Sequence, residues 1–136
     1  MRLSTRRQPL PHRPASRVEI VESVVSLAPR MGLVVDAETS VVGRSGHAWP
    51  VDAVLSRHDR KAGIQVLDET VPSFTERAIG WSADTGAPLV VVTSPMKADR
   101  LRTGELSTRN VLAISRETDH LAEQVVDSAV KLLQAA

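Results

Sequence analysis

The chain has 136 residues, the length of a single domain, and its 17 Lys and Arg against 16 Asp and Glu give a formal net charge of +1. This charge is unevenly divided, because residues 1–17 contain five Arg and no acid, whereas the remainder carries 12 basic and 16 acidic residues. The absence of cysteine excludes disulfides, a thiolate nucleophile and Cys-ligated metal centres, and three aromatic residues are too few for a base-stacking surface.

The first part of the chain is expected to form a disordered basic arm over residues 1–16, followed by a single domain over 17–136. Pro9, Pro11 and Pro14 prevent the amphipathic helix that an organellar transit peptide would form. No segment reaches the ~20 consecutive apolar residues of a membrane span. We therefore expect a cytoplasmic protein that makes no membrane contact.

The first half of the domain is predicted to contain one helix and then a run of strands. Ser16 and Glu19 have the spacing of a capping box, and a stripe of valines at helical spacing extends the helix to about Arg30. Strand-like residues follow at 33–35, 40–42, 51–55 and 64–67, and the last of these segments is apolar enough for a central strand.

The second half of the chain alternates between helices and strands. A helix is predicted from about Pro72 to Thr85, and a closing helix starts near Leu121. Between them lie a strand at 88–93, a short helix or loop to Gly104, and a strand at 111–114. Antiparallel strands followed by a βαβ return predict an α/β fold with three layers, α/β/α, around a mixed central sheet.

Two polar residues interrupt otherwise apolar predicted strands. Asp52 lies within 51–55 and Gln65 within 64–67. If these strands are neighbours, the two side chains meet on one surface, where a carboxylate and an amide oxygen are suitable ligands for Mg²⁺. The alternative is an edge-strand acid that faces water and a glutamine that satisfies a nearby backbone group.

The runs VDAVL at 51–55 and GIQVL at 63–67 resemble the PD-(D/E)xK motif of restriction-endonuclease-like proteins, closest to the QxK form of Mrr-type domains. The resemblance implies that Asp52 and Gln65 bind the metal and that an acid of the first helix, Glu19 or Glu22, joins them. The lysine of the motif, which helps to activate water, is replaced here by Leu67. In element order, the resemblance continues through 71–85, 88–94 and 110–114.

Loss of the motif lysine leads to the prediction of a catalytically degraded domain, without a cofactor, that binds nucleic acid or a partner in DNA processing or transcription. The alternative is an active Mg²⁺-dependent endonuclease in which Lys61 has taken over the lysine role beside Asp52 and Gln65, with Glu22 as a further ligand. A protein-interaction domain with no nucleic-acid role also stays open, as does a homodimer.

The residues predicted to bind nucleic acid are arginines: Arg6, Arg7, Arg13, Arg44 and Arg57.

A second resemblance is weaker. Asp68 after an apolar strand, with Thr93 at the end of the next, is similar to the phosphoacceptor and switch residues of response-regulator receiver domains. The paired acids that such a domain needs near its first strand are absent from the Pro- and Arg-rich start of this chain. The expectation of a restriction-endonuclease-like domain is therefore preferred.

Overall fold

The computed structural model describes residues 16–67, 74–96, 98 and 111–135, so Arg6, Arg7, Arg13 and nearly all of the predicted arm lie outside the described residues. The first helix is followed by a 3-10 turn at Ala28–Met31. The helices and strands are α1 (Arg17–Leu27), β1 (Val34–Val42), β2 (Ala48–Arg57), β3 (Arg60–Val66), α2 (Phe74–Thr85), β4 (Leu89–Thr93), β5 (Val111–Ser115) and α3 (Leu121–Ala135).

The five strands form one mixed sheet in the order β1-β2-β3-β4-β5. β1, β2 and β3 are antiparallel neighbours, whereas β3, β4 and β5 run parallel. The predicted mixed α/β sheet with a central, buried β3 is confirmed. A receiver domain has a fully parallel sheet of a different strand order, so the receiver alternative is wrong.

The start of α1 is fixed by local hydrogen bonds, as the sequence predicts. The Ser16 hydroxyl accepts the Glu19 N–H at 3.1 Å, and the Ser16 N–H donates to the Glu19 carboxylate at 2.8 Å, which completes the capping box. Gly32, with φ of 82°, ends the 3-10 turn in a left-handed conformation that favours glycine. The predicted helix over 17–30 therefore corresponds to α1 and the 3-10 turn together.

Two predicted boundaries are wrong in the first half of the sheet. The segments at 33–35 and 40–42 belong to one strand, because β2 is long enough to pair with β1 from Val34 to Val42. The strands predicted at 51–55 and 64–67 are longer than expected, since Arg57 pairs with Arg60 and only His58 and Asp59 connect β2 to β3. Long-range pairing extends both strands beyond their apolar segments.

Each face of the sheet carries its own hydrophobic core. On one face, α1 and α3 cover residues of β2, β3 and β4, such as Leu55 and Ile64. On the other face, α2 contributes Ala78 and Trp81. Gly63 permits the close approach of Trp81, because a Cβ at this position would lie 2.8 Å from the indole ring. The described residues therefore form the three layers that the sequence predicts.

The alternation of side chains between the two faces shifts in the middle of β1 and β2. Val51 packs in the α2-side core and Ala53 in the α1-side core, although residues two apart in a regular strand share a face. Opposite this point, Glu38 has φ of 48°, and pairing is formed on either side, between Ala37 and Ala53 and between Thr39 and Val51. Asp52 lies at this irregularity.

None of the helices in the described parts of the chain is long and apolar enough to cross a membrane.

Candidate functional site

The carboxylate of Asp52 fills the place where β2 and β3 separate. Pairing of the two strands runs from Arg57 and Arg60 at the hairpin to Ala53 and Ile64. Beyond that pair, the N–H of Val66 donates to Oδ2 of Asp52 at 2.7 Å instead of to the backbone of β2. Asp52 is only 4% exposed, so the alternative of an acid facing water is wrong.

Gln65 contacts the same carboxylate, as its place in the neighbouring strand predicts. Its side-chain amide donates to Oδ2 of Asp52 at 3.2 Å. Gln65 is half-buried and lines a small cavity on the α2 side with Trp49 and Trp81. The predicted meeting of Asp52 and Gln65 is therefore confirmed, whereas a role for the pair in metal binding stays a prediction.

Arg17, the first residue of α1, supplies the cation at this site. Its Nε donates to Oδ1 of Asp52 at 2.7 Å, and its Nη2 donates to the same oxygen. From the sequence, Arg17 was counted only among the basic residues 1–17 and was not predicted as a site residue. A cation in the first turn opposes the helix dipole, and that unfavourable position was the available signal of a specific partner.

The Asp52 carboxylate has no free acceptor position in this arrangement. A carboxylate offers about four lone-pair positions, and Asp52 receives two N–H groups from Arg17, one from Gln65 and one from Val66. Burial of an anion costs several kcal/mol unless charge and hydrogen bonds compensate it. Here one guanidinium supplies the charge, and the sheet and Gln65 supply the remaining donors.

Mg²⁺ does not fit this set of donors. Both oxygens of Asp52 accept N–H groups, and Gln65 directs its NH₂ group toward Asp52. Glu22 lies nearby on α1 and lines the same groove as Asp52. Within the described ranges, however, no three His, Asp or Glu side chains converge as a metal site requires.

Leu67, which the sequence resemblance aligns with the motif lysine, is buried in the α2-side core with Ala78 and Trp81. The guanidinium of Arg116, which follows β5, lies 3.4 Å from the carbonyl oxygen of Leu67. A second cation therefore approaches the carboxyl end of β3 from the end of β5, on the far side of β4. This edge of a parallel sheet is where α/β proteins commonly bind ligands.

The structure does not bring Lys61 to Asp52. Lys61 is exposed, pairs with Ser56 and precedes Gln65 by four residues on β3. At ~3.3 Å per residue, the two backbone positions are ~13 Å apart, which exceeds the length of a lysine side chain. The migrated lysine of the active alternative therefore has no support in this geometry.

The predicted nucleic-acid contacts within the described residues do not form one patch. Arg57 donates to the carbonyl oxygen of Met31 at 2.7 Å, where it caps the 3-10 turn. Arg44 lies in the turn that precedes β2, at the opposite end of that strand, and is exposed. Arg57 thus has a structural partner, whereas Arg44 presents its charge to solvent.

A groove of about 610 Å³ opens between α1 and β1, next to the Arg17–Asp52 ion pair. Its walls combine apolar and acidic side chains. We call it the α1/β1 groove, and the residues that line it are Arg17, Val18, Val21, Glu22, Val25, Ser26, Ala37, Glu38 and Asp52.

No family model and no curated protein matches this chain. Among solved structures, the chain is similar to the crystal structure of a protein of unknown function, AF1548, with a TM-score of 0.49 and 11% sequence identity. The match covers 79% of this chain and 64% of that chain, so this chain spans less than two thirds of its length. This similarity assigns neither a family nor a function.

Proposed function

We propose that this chain is a restriction-endonuclease-like domain that has lost nuclease activity and binds nucleic acid through its arginines. The loss of nuclease activity is supported above all by the carboxylate of Asp52. Its acceptor positions are all occupied by N–H groups from Arg17, Gln65 and Val66. The carboxylate that would hold Mg²⁺ in an active relative instead holds the sheet and α1 together.

Two further features support the absence of phosphodiester cleavage. Metal-assisted hydrolysis needs an ion that lowers the pKa of water and stabilises the developing charge. The arrangement of Asp52 and Gln65 leaves no place for such an ion, and Leu67 has no group that could replace the motif lysine. Lys61 lies too far along β3 to compensate.

Binding to nucleic acid is supported by the distribution of charge. Residues 1–15 contain four Arg and no acid, and Arg44 adds an exposed cation from the turn before β2. Arginines bind phosphates irrespective of base sequence, and release of counterions makes this binding strongly dependent on salt. Few aromatic residues are available for stacking, so contacts to the phosphate backbone are expected to dominate.

A gel-shift titration of duplex and junction DNA at rising salt tests the binding. We expect binding at low salt, and deletion of residues 1–15 should flatten the logarithmic salt slope by up to about 3.6, or 0.9 for each of the four arginines. The deletion keeps Ser16 and its capping box. A matched control replaces Arg2, Arg6, Arg7 and Arg13 by Gln at constant length. No binding at low salt, or an unchanged slope in both variants, would contradict the nucleic-acid role.

Incubation of the protein with plasmid in Mg²⁺ or Mn²⁺ tests the loss of activity. We expect no cleavage and no thermal stabilisation by either ion. Cleavage that disappears in Asp52→Asn would instead establish the active alternative. Cleavage that persists in Asp52→Asn would indicate a contaminating nuclease and would leave the inactive assignment in place.

A second candidate is a protein-interaction domain without a nucleic-acid role. The residues after the first 17 carry 12 basic and 16 acidic side chains, and this net negative charge disfavours DNA. The same gel-shift titration separates the two candidates, because a protein-interaction domain without a nucleic-acid role would not retard DNA even at low salt.

A further inference from the structure

The α1/β1 groove has the composition of a peptide-binding surface. Val21 and Val25 of α1 are half-buried, and Val18 at the end of the groove is 64% exposed. Glu22 on the helix and Glu38 on the strand are both exposed and line the same groove. A ligand for this groove would therefore combine apolar side chains with positive charge.

The β1 wall of the groove is irregular at Glu38. Glu38 has φ of 48°, a left-handed conformation that is uncommon for residues other than glycine, although the strand continues on both sides. Such conformations are disfavoured and persist where the surrounding structure requires them. Here the irregular backbone accompanies a carboxylate on the groove wall.

We propose that the N-terminal segment of residues 1–15 binds in the α1/β1 groove of its own chain. The segment has Arg2, Arg6, Arg7 and Arg13, no acidic residue, and the apolar side chains of Leu3 and Leu10. It joins the domain at Ser16, directly before Arg17, which lines one end of the groove. This binding does not depend on the proposed nucleic-acid role.

The lengths of the segment and the groove are compatible. Along α1, Glu22 and Val25 lie ~9 Å and ~14 Å from Ser16, at 1.5 Å per residue. A chain that folds back over the helix can span at most ~10 Å to Arg13 and ~20 Å to Leu10, at about 3.3 Å per residue. Arg13 can therefore reach Glu22, and Leu10 can reach Val25.

Covalent attachment favours binding to the same chain over binding to a second copy. A short tether holds the segment at an effective concentration in the millimolar range, so a weak contact is sufficient. Glu22 and Glu38 would pair with the arginines at the solvent boundary, and Val21 and Val25 would bury apolar surface of the segment. The electrostatic part of this contact is expected to weaken with salt.

A spin label on the segment tests the binding in the full chain without nucleic acid. Because the chain has no cysteine, Gln8→Cys gives a single labelling site and leaves Leu10 in place. We expect at least twofold broadening of the methyl resonances of Val21 and Val25 in NMR spectra. A label at Asp59→Cys, in the β2–β3 hairpin, is the control and should leave these resonances sharp.

Removal of the groove acids sharpens the test. Glu22→Gln with Glu38→Gln should reduce the broadening by half or more, whereas the matched pair Glu117→Gln with Glu123→Gln should not. Absence of broadening, or equal effects of the two pairs, would overturn the proposal. In a mixture of two preparations, one chain is isotope-enriched without a spin label and the other carries the label. Broadening in the enriched chain would assign the contact to a second copy and would also overturn the proposal. Gel shifts are measured separately, so failure of the nucleic-acid role can be distinguished from failure of the segment to bind in the groove.

Discussion

Two aspartates of this protein hold separate elements together, and they do so with different donors. Asp84, in the last turn of α2, accepts the Ser45 N–H at 2.8 Å, the Ser45 hydroxyl at 2.7 Å and the Trp49 indole N–H at 2.9 Å. These donors are neutral, and all belong to the β1–β2 turn or the start of β2. Asp52 accepts from α1 and β3, and one of its donors is the Arg17 guanidinium.

The difference separates an acid that is hydrogen-bonded to a turn from a buried acid that has a charged partner. Asp84 fastens α2 to a turn, and its backbone carbonyl also accepts the Arg44 N–H at 2.9 Å. The hydrogen bond from Trp49, followed by those from Ser45, lowers the pKa of the Asp84 carboxyl below its ordinary value. Asp52 lies at the carboxyl edge of the parallel strands, where ligands usually bind, but its oxygens are occupied by the protein itself.

Asp52→Ala should have the largest effect on stability. The substitution leaves the buried N–H of Val66 without its acceptor and removes the partner of Arg17. We expect a loss of about 3 kcal/mol in the free energy of unfolding, measured with urea. Asp84→Ala is the comparison and should lose less, because its donors can bind water. A larger loss for Asp84→Ala would reverse the ranking of the two contacts.

Arg17→Met should have the next largest effect. The side chain of Arg17 is 52% exposed, so solvent screening reduces the value of its ion pair with Asp52. The variant keeps an apolar stem, and Asp52 keeps the donors from Gln65 and Val66. We expect a loss of about 1–2 kcal/mol, whereas Arg30→Met at an exposed position should change stability by less than about 0.5 kcal/mol. Equal effects would show that the ion pair contributes nothing to stability.

Gly43→Ala should disrupt the Asp84 contact without changing Asp84 itself. A Cβ at position 43 would overlap the Asp84 carboxylate, which would have to leave Ser45 and Trp49. The variant should therefore have a lower Tm than the wild type. In a background of Asp84→Ala, where the carboxylate is absent, the same substitution should change the Tm little. Additive effects of the two substitutions would show that Gly43 acts elsewhere.

The smallest expected effect is a dependence on pH. Because folding lowers the pKa of Asp84 from its ordinary value of 3.8, its ionised form stabilises the protein above that value. This contribution is lost as the pH falls below 3.8 through the lowered pKa. The difference in unfolding free energy between the wild type and Asp84→Asn should therefore be constant at neutral pH and shrink in acid. A difference that does not change with pH would show that the charge of Asp84 does not contribute to stability.

Local patterns in the sequence were sufficient for much of the fold. The Ser16–Glu19 spacing determines where α1 begins, since both hydrogen bonds join residues three apart. The apolar run of β4 and the order of elements predict the mixed sheet. Boundaries were less accurate where strands extend through pairing, as in β1, because an Asp36–Thr39 segment becomes strand only when β2 lies beside it.

By itself, the sequence determined that a carboxylate and an amide interrupt two consecutive apolar strands, with a leucine two residues after the amide. Only the tertiary structure decided what the carboxylate does. Arg17 and Asp52 are 35 residues apart, and their contact depends on the position of α1 over the opening between β2 and β3. Helix periodicity specifies which side chains share a face, but not which buried charge a helix terminus will reach. The packing of α1 against the sheet therefore gives Asp52 an internal cation as its partner.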